Sequence, residues 1–379
     1  MAWHNKPAMA GLVLCMIGAA AGLGLLSFQP KSPGVEPAPV PAAPLAAIEP
    51  AVEPVQSATV PAPLSPLHDA AARGDLAALE QILAANGELN ATDRDGNTAL
   101  MIAAQSGGVA AVRLLLAAGV NARTANMHSV TPVMAAAGQG FGAIVRLLIS
   151  ARADVNATSR DGATALALAA RGCFDATARA LAQAGAAVDA KGAGGTTALM
   201  VAAGACEPAF LAQLITDGAQ LETQDGGGRS PLWYAADAGN KNAAITLLQR
   251  GAAVDLADTN GETPLMRSVA GGHSAVTQAL IAKGADVNHA SATGNTALGL
   301  AAKPDDASVV RALIAHGAKI NVRNAFGMTP LMIAASQGSM NVVTALLDAG
   351  ADKTLRSTKR ELAREMAAKA GHLEIAQKL

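Results

Sequence analysis

The sequence predicts a mainly α solenoid of about ten 33-residue helix–turn–helix units with hairpin loops, preceded by one apolar helix and a Pro/Ala-rich linker. Three observations predict it. A four-residue signature returns every 33 residues from Ser65 to Leu362 without an insertion. Hydrophobic residues make up 51% of the chain but aromatics only 2%, so small and aliphatic side chains carry the apolar content, which suits close helix packing and argues against an all-β sandwich or barrel. Finally, residues 1–63 differ in composition from everything that follows.

The chain divides into a stub (1–6), an apolar segment (7–28), a linker (29–63) and the repeat domain (64–379). No residue from Pro7 to Phe28 is charged. At ~1.5 Å per residue a helix of this length crosses the ~30 Å hydrocarbon core of a bilayer. Lys6 and the α-amino group precede it, which keeps the stub cytoplasmic and exports the rest. The alternative is a cleaved signal peptide with Ala19-Ala20-Ala21 as its small-residue site. Cleavage there leaves apolar Gly22–Phe28 at the new terminus, so we read an uncleaved single-pass anchor. Leu14 before Cys15 argues against a lipoprotein signal. The Ala-rich composition, short anchor and spacer look bacterial, which places the repeats in the periplasm, or, after cleavage, in the periplasm or the medium.

Residues 30–63 hold ten of the chain's 18 prolines. Proline removes a backbone donor and pushes its predecessor toward extended conformations. The segment therefore reads as a polyproline-II spacer or a featureless linker, reaching at most about 100 Å at ~3.1 Å per residue.

The signature begins as Ser65-Pro66-Leu67-His68 and continues through Thr98-Ala99-Leu100-Met101, Thr131-Pro132-Val133-Met134 and Thr164-Ala165-Leu166-Ala167. It runs on to Thr329-Pro330-Leu331-Met332 and a degenerate Leu362-Ala363-Arg364-Glu365. Units start near 60, 93, 126, 159, 192, 225, 258, 291, 324 and 357. A second landmark keeps step at Gly185-Ala186-Ala187-Val188-Asp189, Gly251-Ala252-Ala253-Val254-Asp255 and Gly284-Ala285-Asp286-Val287-Asn288. Thr or Ser before the first helical turn can cap it, and Pro is tolerated just inside. Ala pairs such as Ala103-Ala104 and Ala334-Ala335 let neighbouring units approach. Gly107, Gly140, Gly239, Gly272, Gly338 and Gly371 stand where a left-handed residue ends the first helix. A second helix, as in Ala111–Leu116, ends at a glycine such as Gly119, and turns such as Asp95-Gly96 or Asn260-Gly261 open the next unit. One unit cannot bury its apolar face alone, whereas stacked units share a continuous core.

These residues resemble the ankyrin repeat, whose period and Thr-Pro-Leu-His signature they carry over residues 64–379. The resemblance implies a non-enzymatic scaffold or adaptor that binds another protein. In such stacks the hairpin tips and exposed first-helix positions line a concave groove. By register those positions include Arg94, Asp95, Asn97, Gln105, Met127, His128, Gln139, Arg160, Asp161, Arg171, Arg229, Trp233, Asp237, Asn260, Glu262, Phe326 and Met328. Binding hot spots favour aromatics and Arg, so Arg160, Arg171, Arg229 and Trp233 form the preferred site. Other readings are a regulatory or protective subunit of an exported enzyme and a secreted effector.

The signature's His position is mostly Met: Met101, Met134, Met200, Met266 and Met332. A Met row at structural spacing reads as core filling rather than a metal ladder. Trp233 occupies the same register beside Tyr234 and reads as packing or as a partner anchor. Cys173 and Cys206 stand at the inter-helix glycine register of adjacent units. Stacked units usually lie about 10 Å apart, beyond the ~7 Å that a disulfide tolerates between Cα atoms. In an oxidising compartment a bond forms if the turns lean together; otherwise these are two thiols. The last unit carries Lys359, Arg360, Arg364, Lys369 and Lys378, as a capping unit with a wet face requires.

Charge is balanced, 28 Lys and Arg against 29 Asp and Glu, which argues against a basic nucleic-acid binder. The seven histidines form no i, i+4 pair, and no Cys-x-x-Cys or Gly-x-Ser-x-Gly occurs. Gly140-Phe141-Gly142 falls between two predicted helices rather than after a strand, and Gly192–Gly195 and Gly226–Gly228 lack the Lys of a phosphate loop. Asn90-Ala91-Thr92 and Asn156-Ala157-Thr158 match glycosylation acceptors, yet the repeat itself asks for Asn there. No enzyme, cofactor, metal site or small-molecule substrate is expected.

Overall fold

The computed structural model describes residues 65–85, 88–302 and 307–379. The expectations for the stub, the membrane span and the linker lie outside the described residues. Among the described residues no helix is long and apolar enough to cross a membrane.

Each unit contributes two antiparallel helices. The first helices are α1 (Pro66–Arg73), α3 (Ala99–Ser106), α5 (Pro132–Gly138), α7 (Ala165–Arg171), α9 (Ala198–Ala205), α11 (Pro231–Asp237), α13 (Pro264–Ala270), α15 (Ala297–Ala301), α17 (Pro330–Gln337) and α19 (Ala363–Lys369). The second are α2 (Leu76–Ala84), α4 (Val109–Ala117), α6 (Gly142–Ser150), α8 (Asp175–Gln183), α10 (Pro208–Thr216), α12 (Lys241–Gln249), α14 (Ser274–Ala282), α16 (Ala307–Ala315), α18 (Met340–Asp348) and α20 (Leu373–Lys378). First helices pack on first helices and second on second, giving two layers. The core lies between them and is built from the Ala pairs, the Leu or Val of the first nine signatures and the five stripe methionines, all buried.

The predicted caps form in most units. The Thr98 hydroxyl accepts from Met101 N at 3.3 Å, and Thr164, Thr197, Ser230, Thr263, Thr296 and Thr329 repeat the bond. Two units depart. Ser65 spends its hydroxyl on His68 Nδ1, and Thr131 Oγ1 is buried without a partner among the described residues. In the last unit Leu362 has no hydroxyl, and the Glu365 carboxylate accepts the Leu362 N–H at 2.8 Å instead.

Three kinds of tie join successive units. At the tips, one backbone N–H donates to the preceding tip: Met127 N to Asp95 O at 3.0 Å, Arg160 N to His128 O at 2.8 Å and Thr259 N to Gly227 O at 2.9 Å. At the opposite end, an Asn, Asp or Glu side chain accepts a backbone N–H 31 residues on, as Asn90 does from Asn121 and Asn156 from Ala187. Both sequon asparagines are thereby parts of the ladder. Between the helices of several pairs of units, a ring lies on the preceding unit's left-handed glycine. Phe174 covers Gly140 and His273 covers Gly239, whose added Cβ would sit 2.6 and 2.5 Å from those rings. The left-handed φ of 77° at Gly140 and 69° at Gly239 excludes side chains for a second reason.

Candidate functional site

The hairpin tip of most units opens with a residue whose side chain caps its own turn; the fifth, which opens with Gly192, has none. Asn126 Oδ1 accepts from His128 N and Val130 N, and Asn324 Oδ1 from Phe326 N and Met328 N, each at 2.9–3.0 Å. Asp225 holds that register in the sixth unit. Its Oδ1 accepts from Gly227 N and Arg229 N, both at 2.9 Å. Its second oxygen accepts from Arg229 Nε at 2.9 Å and from the Tyr234 hydroxyl at 2.7 Å. The turn cap thus becomes a buried anion that ties a tip to the first helix.

Above this anchor lies an aromatic and guanidinium cluster. Trp233 and Tyr234 meet edge to face with ring centroids 5.7 Å apart. The Arg229 guanidinium lies 5.4 Å from the Trp233 centroid and 5.5 Å from that of Tyr234, and Arg267 covers Trp233 at 5.0 Å. Such stacking is attractive because the ring face is electron-rich. Arg267 is held by Asp237, through Nε at 3.1 Å and also through Nη2, and by Glu262 through Nη1 at 3.4 Å. Trp233 is 6% exposed and its indole Nε1 has no partner among the described residues.

Burial alone would raise the Asp225 carboxyl, but the donors from Tyr234, Arg229 and Gly227 and the Arg229 charge outweigh it and hold the group below its ordinary range. Burial, and then the Asp225 hydrogen bond and charge, push the Tyr234 phenol well above its own. A depressed carboxyl stabilises the fold above its unfolded value, near 3.9, and that contribution is lost as pH falls through the lower folded value. A raised phenol acts on the alkaline side, where the unfolded chain ionises near pH 10 and the folded one resists. In urea titrations from pH 2.5 to 11, the stability advantage of wild type over Asp225→Asn shrinks below about pH 4. The alkaline loss that begins near pH 10 is reduced in Tyr234→Phe. Parallel profiles for all three proteins would contradict this assignment.

The structure brings Arg229, Trp233, Asp237 and Glu262 together. Arg160 and Arg171 lie two units upstream and, among the described residues, share no hydrogen bond, ion pair or ring contact with Trp233. Trp233, read from the sequence as packing or an exposed anchor, is buried beneath the two arginines, so the surface a partner would meet is guanidinium. Asn97 is also largely committed: it donates to Asp93 and accepts from His68 Nε2 and Asn126 Nδ2. Arg94, Asp95, His128, Asp161 and Asn260 stand exposed at tips, Gln105 and Gln139 near first-helix ends, and Met127 and Phe326 are 61% and 65% exposed. Met328 is half-buried against the core. Sequence reasoning missed Asp225 and Arg267. The 33-residue step could have found both, since Arg267 stands one period after Tyr234 and Asp225 three periods before Asn324.

A family model described as Ankyrin repeats (3 copies) matches residues 67–159, 133–225, 205–291 and 287–357, more than half of the chain. The chain belongs to the ankyrin-repeat family. No curated protein matches it. Ankyrin repeats are generally protein–protein interaction modules, and among the described residues of this one no group of three or more His, Cys, Asp or Glu is placed to hold a metal ion.

Proposed function

We propose that this ankyrin array is a scaffold that binds another protein on its tip and first-helix face, with the Arg229–Trp233–Arg267 cluster as the centre of the contact. The cluster carries the reading. Trp, Tyr and Arg dominate binding hot spots, and here two half-exposed guanidinium groups are held in place by three carboxylates and stacked on one buried indole. Pre-positioned side chains lose little conformational freedom on binding. The arginines offer donors in a fixed geometry, which suits carboxylate and backbone carbonyl groups of a partner.

The uncharged run from Pro7 to Phe28, behind Lys6, supports a tether on the exported side of a bacterial inner membrane, with the repeats in the periplasm. A regulatory subunit of an exported enzyme or a secreted effector would use the same face. The test is affinity capture with the full chain, tagged at its C-terminus, against Arg229→Ala/Arg267→Ala. A partner recovered by wild type loses on the order of a hundredfold in affinity when two hot-spot arginines go. Equal recovery by both baits removes the cluster from the interface.

A further inference from the structure

The fourth and fifth units are joined differently from their neighbours. Elsewhere the tips are linked by a backbone bond, but among the described residues none joins Asp161 O and Ala193 N. The tip of the fifth unit instead turns through Gly194 and Gly195, at φ 68° and 83°. The second-helix layer also opens here. Helix α6 lies along α8 and α10 along α12, while α8 and α10 approach each other less closely, as do α18 and α20. Helix α8 is rich in Ala, with Leu181 its one large buried side chain, and so has little apolar surface to offer α10. Among the described residues no ring covers this junction either: Glu207 stands one period after Phe174, and both glycine positions of the register are cysteine.

In its place stands a disulfide. Cys173 and Cys206 are bonded, with Cα atoms 5.4 Å apart rather than the 10 Å expected of stacked units. Unequal backbones bring them together. Cys173 takes the left-handed conformation of the register, φ 54°, while Cys206 is extended at φ −95° and ψ 163°, leading into Pro208. Cys206 is 3% exposed; Cys173 is half-exposed.

We propose that Cys173–Cys206 is a redox-addressable staple across the weakest junction of the array, and that a dithiol reductant converts this junction into a hinge. The reaction balances without a further component. A thiolate of the external dithiol attacks the accessible Cys173 sulfur, the S–S bond breaks, and its electron pair leaves on Cys206, which takes a proton from water. The second thiolate of the reagent attacks the mixed disulfide and departs as a cyclic disulfide, and Cys173 is released and protonated. The Cys206 sulfur lies 3.2 Å from Ala170 O, so the new thiol has an acceptor waiting in the buried state. What then links the two units is the packing of α7 on α9, the bonds from Gln220 N to Asp189 and the bond from Lys191 Nζ to Gln224 O. The arginine cluster lies on one side of that hinge and the tips of the first four units on the other. The inference does not depend on what the array binds.

Hydrogen–deuterium exchange on the full chain, before and after dithiothreitol, tests it, with maleimide labelling to count thiols. Labelled in denaturant, one thiol, Cys15, is counted before reduction and three after it. Exchange in α8, α10 and the turns at 171–175 and 205–208 then rises on the order of tenfold or more, while α4, α6 and α12 to α18 stay unchanged. Cys173→Ser/Cys206→Ser shows the raised exchange with or without reductant. If that pair fails to fold, Cys173→Gly/Cys206→Ser, which returns the register's own glycine, is measured in its place. Three reactive thiols before reduction, no change in exchange, or a rise spread evenly over all units would each overturn the proposal.

Discussion

Trp233→Ala costs about 3–5 kcal/mol of stability, the range for truncating a buried aromatic. The side chain is 6% exposed and supports Arg229, Arg267 and the Tyr234 ring, so its removal opens a cavity and releases two guanidinium groups. The array supplies its own control. Trp233 stands in the register of Met101, Met134, Met200, Met266 and Met332, all buried. Trp233→Met keeps an apolar, adaptable chain there and is expected to recover more than half of the loss. Urea unfolding followed by far-UV circular dichroism reads both. Comparing whole curves matters, because a repeat array can unfold unit by unit. An alanine variant within about 1 kcal/mol of wild type would contradict the packing described, since that is the cost of an average substitution.

Asp225→Ala has an expected cost of about 3–5 kcal/mol, as for leaving several partly buried donors without their acceptor. The change strips the acceptor from two backbone N–H groups, the Tyr234 hydroxyl and Arg229 Nε. The Arg229 pairing contributes the smaller part, because that side chain is 41% exposed and solvent screens it. Asp225→Asn separates the roles. Asparagine caps the same turn in the third and ninth units, at Asn126 and Asn324, so the backbone bonds survive and only the charge is lost. Its cost falls to about 1–2 kcal/mol, typical of a weakened hydrogen bond to a charged group. Equal effects of alanine and asparagine would mean that the turn is not what Asp225 holds.

The array's weakest and strongest points differ in kind. At the sixth and seventh units, long polar side chains add cross-links to a standard stack. At the fourth and fifth, small side chains and glycines thin the stack until a covalent bond takes over. Neither condition is visible in a single unit, and both sit at registers that are unremarkable elsewhere. Gly140 accepts Phe174 upon it and Gly239 accepts His273, whereas the cysteine pair puts a covalent tie at two positions of the same register.

Period, helix starts, left-handed glycines and the methionine core could all be read directly from the chain, because each depends on contacts repeated every 33 residues and leaves a mark at every repeat. The irregular features could not. Trp233 at a core register was ambiguous until Arg229 and Arg267 were seen to cover it. Asp225 looked like any other turn cap until Tyr234 donated to its second oxygen. Cys173 and Cys206 were bonded or free according to a Cα separation that ideal stacking overestimates. Local rules repeat and so appear in sequence; contacts made once, between side chains on different units, depend on how the backbones lean, and only the folded stack decides that.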